Sequence, residues 1–469
     1  MKLKGTILMI YENETELLHK AKKAEGKTFG EIDKNHRMLN ERAEECLGQI
    51  VKESFFGYNV NSKAEANSIE LGIKLKVTPI QKSKNGIISA KERLVLNIIN
   101  YQEEVNKSFE TSSFWLNNNS LLLMFYEWSP EAKQSDYKIL KVHLHHFSDE
   151  DVEIIKNDWN YIIHKIKSGK AHELSEGDTI YLVACLNGVD KNTLVDQSLS
   201  TIKAMPRAYS LKQSYVTTIA KKAISNQDMV SIVDANQLQI ISFEQLLNKY
   251  FSLFIGKSLN EIAGEFSIPI NTDSKSFLQR FVSSLLGITG TSLNDIEEFS
   301  KANIQFKTIR LEPKGSPKEH MSFKNINFKE WVEEDWENSW LKQNFESTKY
   351  LFVIFEYKER EKDNPNRKLY FKGIKLWNMP VMEIENRLKK FWFDVKSILQ
   401  TGVKFENKAW GSKVRGFNNL PSAGENGLCH IRPKARDASD KIQLPDGQYI
   451  TKQALWLDRE YIGDIIKDI

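Results

Sequence analysis

The feature that most constrains the fold of this chain is an internal repeat. The segment from Gly26 to Ile32 recurs at residues 256–262, and the apolar run from Leu121 to Glu127 recurs at residues 351–357. Similarity at a fixed separation indicates that one structural unit is present more than once. Four further pairs of segments occur in the same order, at offsets of about 227 to 240 residues: Ile73–Lys76 with Ile304–Lys307; Lys91–Tyr101 with Lys318–Phe328; Trp159 and Gly169 with Trp392 and Gly402; and Pro206, Tyr209, Lys212 and Gln213 with Pro445, Tyr449, Lys452 and Gln453.

The repeat predicts two tandem domains, as the length of 469 residues also suggests. We place the first domain at residues 1–228 and the second at residues 242–469, with a polar break from Ser225 to Asp228 between them. Each half combines helical periodicity, as in residues 151–166, with strand-like alternation, as in residues 69–78. Mixed elements in this order predict α/β (α+β) domains.

Composition narrows the class of protein further. The net charge of +4 and the sequence pI of about 8.5 are compatible with an acidic partner such as DNA but do not require one. Three separated cysteines, Cys46, Cys185 and Cys429, exclude a disulfide scaffold and a cysteine-rich zinc site. The first residues form too short an apolar run for a signal peptide, and no stretch is long enough to span a bilayer. We therefore expect a cytoplasmic protein without a membrane partner.

A series of motifs in the first half carries a family resemblance. It begins with Gly48–Val51 and Phe55–Gly57, continues with the strand Gly72–Pro79, and includes Lys91–Tyr101, Phe109–Phe114 and Gly169–Gly177. Matches at residues 203–212, 429–433 and 451–453 extend it nearly to the end of the chain. This pattern resembles the MutH family and its Sau-type type II restriction endonucleases, which act at GATC. The resemblance implies two restriction-endonuclease-like (MutH-like) domains, with the catalytic one first, and double-stranded DNA containing GATC as partner, with self-association on that DNA.

The resemblance also implies a catalytic pattern of Asp, then Glu seven residues on, then Lys two further on. The carboxylates hold Mg²⁺ against the scissile phosphate, and the lysine stabilises the charge that develops there. In this chain the three positions are Asn67, Lys74 and Lys76. An ammonium group cannot ligate Mg²⁺ and repels it. We therefore expect cleavage to be lost or weak.

Two neighbouring carboxylates, Glu65 and Glu70, are candidate substitutes for the missing ligands. We expect Glu70 to lie too far from Lys74, about 13 Å away along an extended strand. If either residue serves, the chain is an active Mg²⁺-dependent GATC endonuclease that uses Lys76. A further alternative is a non-catalytic regulatory or assembly protein built on the same scaffold.

The resemblance points to two groups of DNA-binding residues, one in each half. Arginine and lysine contacts to phosphate give salt-dependent affinity, and an arginine that reaches guanine gives specificity. The alternative is an exposed hairpin or solvated basic face with ordinary charges. The groups are Arg207, Tyr209 and Lys212 in the first half, and Arg432, Lys434 and Lys452 in the second.

Two other patterns are weaker. His143, His145 and His146 have alternating spacing on a strand, for which a structural role is the simpler interpretation, because no carboxylate or cysteine partner is fixed nearby. The Gly26-Lys27-Thr28 segment lacks the upstream glycine of a phosphate-binding loop, which excludes a nucleotide site of that kind.

Overall fold

The chain folds as two compact units. The computed structural model describes residues 11–39, 47–58, 68–83, 85–187, 193–268, 281–288, 295–410 and 413–469. The first unit comprises the described residues within Met1–Ser242 and Asn294–Asn303, and the second those within Phe243–Leu293 and Ile304–Ile469. The division falls between Ser242 and Phe243, and residues 294–303 belong to the first unit although they follow part of the second in sequence. The limits of 228 and 242 remain predictions.

The first unit contains a five-stranded sheet, a three-stranded sheet and one long helix. Its helices are α1 (Glu14–Lys22), α2 (Phe29–Ile32), α3 (Leu47–Ile50, continued by a π turn Val51–Phe55), α4 (Ser113–Asn118), α5 (Asp149–Lys167), α6 (Gln213–Ser225), α7 (Ala235–Leu238) and α10 (Glu297–Ala302), and its strands are β1 (Ser68–Ile69), β2 (Ile73–Lys82), β3 (Ile88–Ala90), β4 (Leu94–Ile98), β5 (Ser120–Glu127), β6 (Ile139–His146), β7 (Leu182–Leu186), β8 (Val195–Gln197), β9 (Ser200–Ala204) and β10 (Arg207–Leu211).

The larger sheet has the order β1-β2-β5-β6, with β3 on β2, and the smaller sheet has the order β4-β10-β7. Strand β5 is apolar from Leu121 to Phe125, and residues 121–126 are all buried, as is typical of a strand covered on both faces. It runs parallel to β2 and antiparallel to β6.

Local sequence accounts for the long helix α5. Ser148 caps its N-terminus by accepting a hydrogen bond from the Asp151 amide, and three acidic residues occupy the first turn. Basic residues occupy the last turn, where they complement the helix dipole. Its apolar face, which includes Ile155, Trp159 and Ile162, is buried.

The second unit repeats this plan. Its helices are α8 (Phe243–Ser252), α9 (Leu259–Glu265), α11 (Phe328–Glu333), α12 (Trp340–Ser347), α13 (Val381–Glu383, continued by a π turn Ile384–Leu388), α14 (Lys389–Thr401) and α15 (Arg459–Ile465), and its strands are β11 (Ile304–Leu311), β12 (Met321–Asn325), β13 (Lys349–Tyr357), β14 (Leu369–Trp377), β15 (Phe405–Trp410), β16 (Lys413–Asn418), β17 (Cys429–Pro433), β18 (Lys441–Gln443), β19 (Tyr449–Thr451) and β20 (Gln453–Leu457).

The duplication is visible in the strand pairing. In the second unit β11 runs parallel to β13, which is antiparallel to β14, as β2, β5 and β6 pair in the first unit. The order β12-β20-β17 likewise repeats β4-β10-β7. This arrangement confirms the prediction of tandem mixed α/β domains.

The segments that begin at Gly26 and Gly256 form the same capped turn. Both glycines have φ of 83°, a left-handed conformation that favours glycine. Two residues later, Thr28 and Ser258 cap the next helix in a reciprocal capping box with a glutamate. The motif is therefore a helix start.

Two sequence expectations need correction. Residues 69–78 are not one strand: Glu70–Gly72 form a turn, with Leu71 at φ 79° and Gly72 at φ 73°, and β1 folds back onto β2. The last pair of repeated segments is also misaligned. The counterpart of β10 is β20, whereas Tyr449 lies in the separate β18–β19 hairpin.

Candidate nucleic-acid interface

The hairpin formed by β1 and β2 positions the lysines at the predicted catalytic positions. Ser68 lies opposite Lys74 in the antiparallel pair, while the other edge of β2 pairs with β5. Lys74 and Lys76 are two residues apart on one strand, so both side chains point to the same face of the sheet.

Both ammonium groups reach the same piece of neighbouring backbone. Lys74 Nζ donates to the Leu96 carbonyl oxygen at 3.2 Å, and Lys76 Nζ donates to the carbonyl oxygens of Val95 and Leu96, the latter at 3.3 Å. Val95 and Leu96 belong to β4, so the two lysines link the larger sheet to the smaller one. Lys74 is buried and Lys76 is partly buried.

Burial and the positive charges of neighbouring lysines lower the pKa values of Lys74 and Lys76. Burial, assisted by the charge of Lys52, lowers the pKa of Lys74 from 10.5 to about 8. Burial, with the charges of Lys74 and Lys52, lowers the pKa of Lys76 to about 7. Burial also lowers the pKa of Lys52, which lies on the π turn after α3. Among the described residues, the charges that act on Lys74 and Lys76 are therefore positive, and they would attract an anion.

The remaining predicted catalytic residues are described only in part. Asn67 and Glu65 lie outside the described residues. Glu70 lies in the turn that reverses the chain. The prediction that about 13 Å of extended strand separates Glu70 from Lys74 is therefore wrong, because the chain between them is not extended. Glu53 is engaged elsewhere, because the Arg37 guanidinium donates to both of its carboxylate oxygens.

The described residues around Lys74 do not fit a Mg²⁺ site. Mg²⁺ requires oxygen ligands in near-octahedral geometry. Here the carbonyl oxygens of Val95 and Leu96 already accept hydrogen bonds from ammonium groups, and the strand position of the expected glutamate carries Lys74. The donor set suits a phosphate oxygen better than a cation.

The second unit contains a similar pair of lysines. Lys307 Nζ on β11 donates to the Ser322 carbonyl oxygen at 2.7 Å, and Lys434 Nζ donates to the Phe323 carbonyl oxygen. Pairing of β4 and β12 with their neighbours makes Ser322 and Phe323 the counterparts of Val95 and Leu96. Burial and the charge of Lys434 lower the pKa of Lys307 to about 8. Sequence spacing missed this pair because its lysines come from distant segments.

The predicted DNA contacts of the first half are buried. Arg207–Leu211 is the central strand of a sheet, so the alternative interpretation, an exposed hairpin with ordinary charges, is wrong. Arg207 Nη1 donates to the Ala184 carbonyl oxygen at 2.6 Å, and the Tyr209 hydroxyl donates to Glu104 at 3.3 Å. Lys212 Nζ donates to the Ala302 carbonyl oxygen at 3.2 Å. In this conformation the three buried side chains join elements of the first unit, and their contact with DNA remains a prediction.

The predicted contacts of the second half are more accessible. Arg432 is exposed, and its guanidinium carbon lies 5.5 Å from the ring centre of Trp456. Lys452 is partly exposed and pairs with Asp440 at 2.6 Å. With Lys434, these residues lie on or beside the ends of β17 and β20.

His143 and His145 are neighbours on β6, with ring centres 5.9 Å apart, whereas His146 makes a different contact. Burial, with the charges of His143 and Lys301, lowers the pKa of His145 to about 3, and its Nε2 lies 3.4 Å from the Tyr215 hydroxyl. His146 is exposed and contacts Glu14 at 3.2 Å.

Among the described residues, no helix is both long and apolar enough to cross a membrane.

Comparison with known proteins agrees with this architecture. The family described as DNA mismatch repair enzyme MutH matches residues 56–158, which lie in the first unit, and residues 286–390, most of which lie in the second. Fold and matches together define a type II restriction endonuclease-like DNA-binding protein with two MutH-like domains.

The full-length similarity is more specific. The type II restriction enzyme Sau3AI of Staphylococcus aureus is 34% identical over 96% of this chain and 98% of its own length. The MutH proteins of Shewanella woodyi and Vibrio campbellii are each 23% identical, over 44% and 46% of this chain and 91% and 96% of their own lengths. The chain belongs to the family of the type II restriction enzyme Sau3AI.

Proposed function

We propose that this protein binds double-stranded DNA at GATC and has lost phosphodiester hydrolysis. The observation that carries the proposal is the position of Lys74, whose ammonium group lies with that of Lys76 on the same β4 carbonyl. GATC is proposed from the family resemblance, and the loss of hydrolysis from the chemistry of the site.

Lys74 and Lys76 provide the charge that a bound phosphate needs. A DNA phosphate placed against their ammonium groups stabilises the charged forms and relieves the cost of burying them. Part of the role of Mg²⁺, neutralising the phosphate, is thereby taken over by the side chains. The bound phosphate keeps both groups in the ammonium form, which cannot accept a proton from water, so binding is retained and cutting is not.

The rival function is Mg²⁺-dependent cleavage with Glu65 or Glu70 as ligand. One observation favours keeping it in the test: the turn at Glu70–Gly72 removes the distance argument against Glu70. In that case Lys76 acts beside the metal, as the family pattern implies.

The experiment compares a duplex carrying one GATC with the same duplex carrying a scrambled site. Gel retardation over a range of salt concentrations measures binding, and denaturing gels with Mg²⁺, or with chelator, measure strand breakage. We expect selective, salt-sensitive retardation and intact strands. Metal-dependent breakage at GATC would support the rival function. Equal affinity for both duplexes, or none, would instead favour an assembly role and overturn the proposal.

Repair of the site tests the cause of the loss. If the missing carboxylates are responsible, Asn67→Asp combined with Lys74→Glu restores Mg²⁺-dependent nicking or cutting. The exposed Lys167→Glu, which changes the net charge equally, serves as the matched control for Lys74→Glu. A folded, DNA-binding double variant that still leaves DNA intact would show that other parts of the site have also changed.

A further inference from the structure

The second unit contains a cluster of metal-ligating side chains outside the lysine sites. His320 precedes β12, His430 lies on β17, and Asp458 follows β20. The three strands are neighbours in the order β12-β20-β17, so residues up to 138 positions apart in sequence meet at one end of the sheet. One potential ligand atom from each residue lies within 4.8 Å of the others.

The contacts within the cluster are close. His430 Nδ1 lies 2.6 Å from Asp458 Oδ1, and His320 Nδ1 lies 3.8 Å from the same oxygen. Two nitrogens or oxygens bound to a tetrahedral Zn²⁺ lie about 3.4 Å apart, given bonds of about 2.0–2.1 Å. Small side-chain rotations therefore bring the three residues into a coordination geometry. The strand pairing fixes their backbones.

Two features of the cluster are unexplained by hydrogen bonding. The Nε2 atom of His430 is buried and has no hydrogen-bond partner in the described part of the chain. Asp458 is completely buried, and the partners of its carboxylate there are two imidazoles and the Gly424 amide, without a lysine or arginine. A buried carboxylate without a cation is costly.

The first unit provides an internal comparison. Leu94, Leu182 and Leu211 pair as Met321, Cys429 and Leu457 do, which makes Arg93, Val183 and Lys212 the counterparts of His320, His430 and Asp458. None of these three residues is a metal ligand in the first unit. Arg93 pairs with Glu176, and Lys212 donates to a backbone carbonyl. The fold alone therefore does not require a histidine-histidine-carboxylate cluster at this place.

We propose that His320, His430 and Asp458 bind a divalent transition-metal ion, with Zn²⁺ as the best match. Two imidazole nitrogens and one carboxylate oxygen form a common three-residue protein ligand set for Zn²⁺, and water completes the tetrahedron. The ion binds His430 through Nδ1 in place of the proton that lies between this atom and Asp458, the imidazole carries its proton on Nε2 instead, and the ion neutralises the buried carboxylate. Ligation through His320 Nδ1 also replaces the 3.1 Å hydrogen bond that this atom accepts from the Arg459 amide.

The test uses the full chain without a histidine tag, stripped with chelator and titrated with ZnCl₂ by calorimetry, with metal content measured after gel filtration. We expect one Zn²⁺ per chain and a higher melting temperature with Zn²⁺ than without. Millimolar Mg²⁺ should not compete, because nitrogen ligands disfavour it.

Variants locate the ion. His320→Arg, which copies the residue of the first unit, and Asp458→Asn are each expected to lose the bound Zn²⁺ and its effect on melting. His164→Ala, at an exposed histidine of the first unit, is expected to keep both. His320 is partly exposed and tolerates change better than buried Asp458, so its variant remains informative if Asp458→Asn does not fold. Absence of stoichiometric Zn²⁺ in the unaltered chain, or its retention in folded His320→Arg, would overturn the proposal. Retardation of GATC duplex by the metal-free chain tests the proposed DNA function separately.

Discussion

Replacement of Lys74 by methionine is expected to stabilise the protein at neutral pH. Methionine keeps a side chain of similar length but removes the buried charge. The Leu96 carbonyl oxygen keeps a donor, because Lys76 Nζ lies 3.3 Å from it. The variant therefore removes repulsion without leaving that acceptor without a partner.

The magnitude follows from the pKa of Lys74, which burial lowers from 10.5 to about 8. Each pH unit of difference corresponds to about 1.4 kcal/mol, so the charged lysine opposes folding by up to about 3 kcal/mol. The lost hydrogen bond, worth about 1 kcal/mol, offsets part of this gain. We expect a net increase of roughly 1–2 kcal/mol in the free energy of unfolding at pH 7.

The pH dependence has a definite sign. Between pH 8 and 10.5 the unfolded chain binds a proton that folded Lys74 has released, so stability rises with pH across this window. Below about pH 8 the destabilisation is fully present. Urea denaturation from pH 7 to pH 10 should show a smaller rise for Lys74→Met than for the unaltered chain.

The matched control is Lys167→Met, which removes an exposed lysine at the end of α5. We expect it to change stability by less than about 0.5 kcal/mol at every pH. If Lys74→Met were less stable than the unaltered chain at pH 7, the ammonium group would be contributing favourably through a negative partner. The conclusion that burial and the neighbouring positive charge of Lys52 make charged Lys74 unfavourable would then be refuted.

Three further predictions concern other parts of the chain. DNA affinity should fall as pH rises from 6 to 9, because the pKa of Lys76 is about 7 in the free protein and a bound phosphate favours its charged form; fluorescence anisotropy at constant salt measures this. Gly169→Ala should destabilise the first unit by about 2 kcal/mol or more, measured by urea denaturation, because φ is +67° and a Cβ would lie 2.7 Å from the Leu199 carbonyl oxygen. Lys301→Met should cost about 3–5 kcal/mol in the same assay, because it leaves Asp151 buried after loss of contacts at 2.7 Å.

Each of these has its own control. For the affinity measurement, Lys76→Met should flatten the pH profile; an unchanged profile would exclude Lys76 as its source. Gly26→Ala tests the effect of a positive φ alone, because its Cβ would meet no atom within 4 Å. If both alanine variants lost equal stability, the contact with the Leu199 carbonyl oxygen would not explain the effect of Gly169→Ala. Lys390→Met breaks an exposed pair with Asp394 and should cost less than about 0.5 kcal/mol, so a similar loss for Lys301→Met would contradict the buried-pair argument.

The sequence by itself determined the repeated plan of the chain and the residue types along strand β2. The duplication, the buried strand Leu121–Tyr126 and the amphipathic helix Asp149–Lys167 depend on local periodicity, which short segments contain. The family pattern also selected Lys74 and Lys76 as candidate site residues that share one face of a strand, because spacing within a strand is preserved when the strand folds. The repeated capped turns at Gly26 and Gly256 are local for the same reason.

Only the tertiary structure decided which of these residues meet and which are buried. The turn at Glu70–Gly72 depends on β1 pairing with β2, and the burial of Tyr209 depends on the strands on either side of β10. The segment Glu297–Ala302 belongs to the first unit because Lys301 pairs with Asp151, far away in sequence. His320, His430 and Asp458 meet only when three strands form a sheet. Such contacts are set by long-range pairing and by burial of charge, neither of which local spacing reveals.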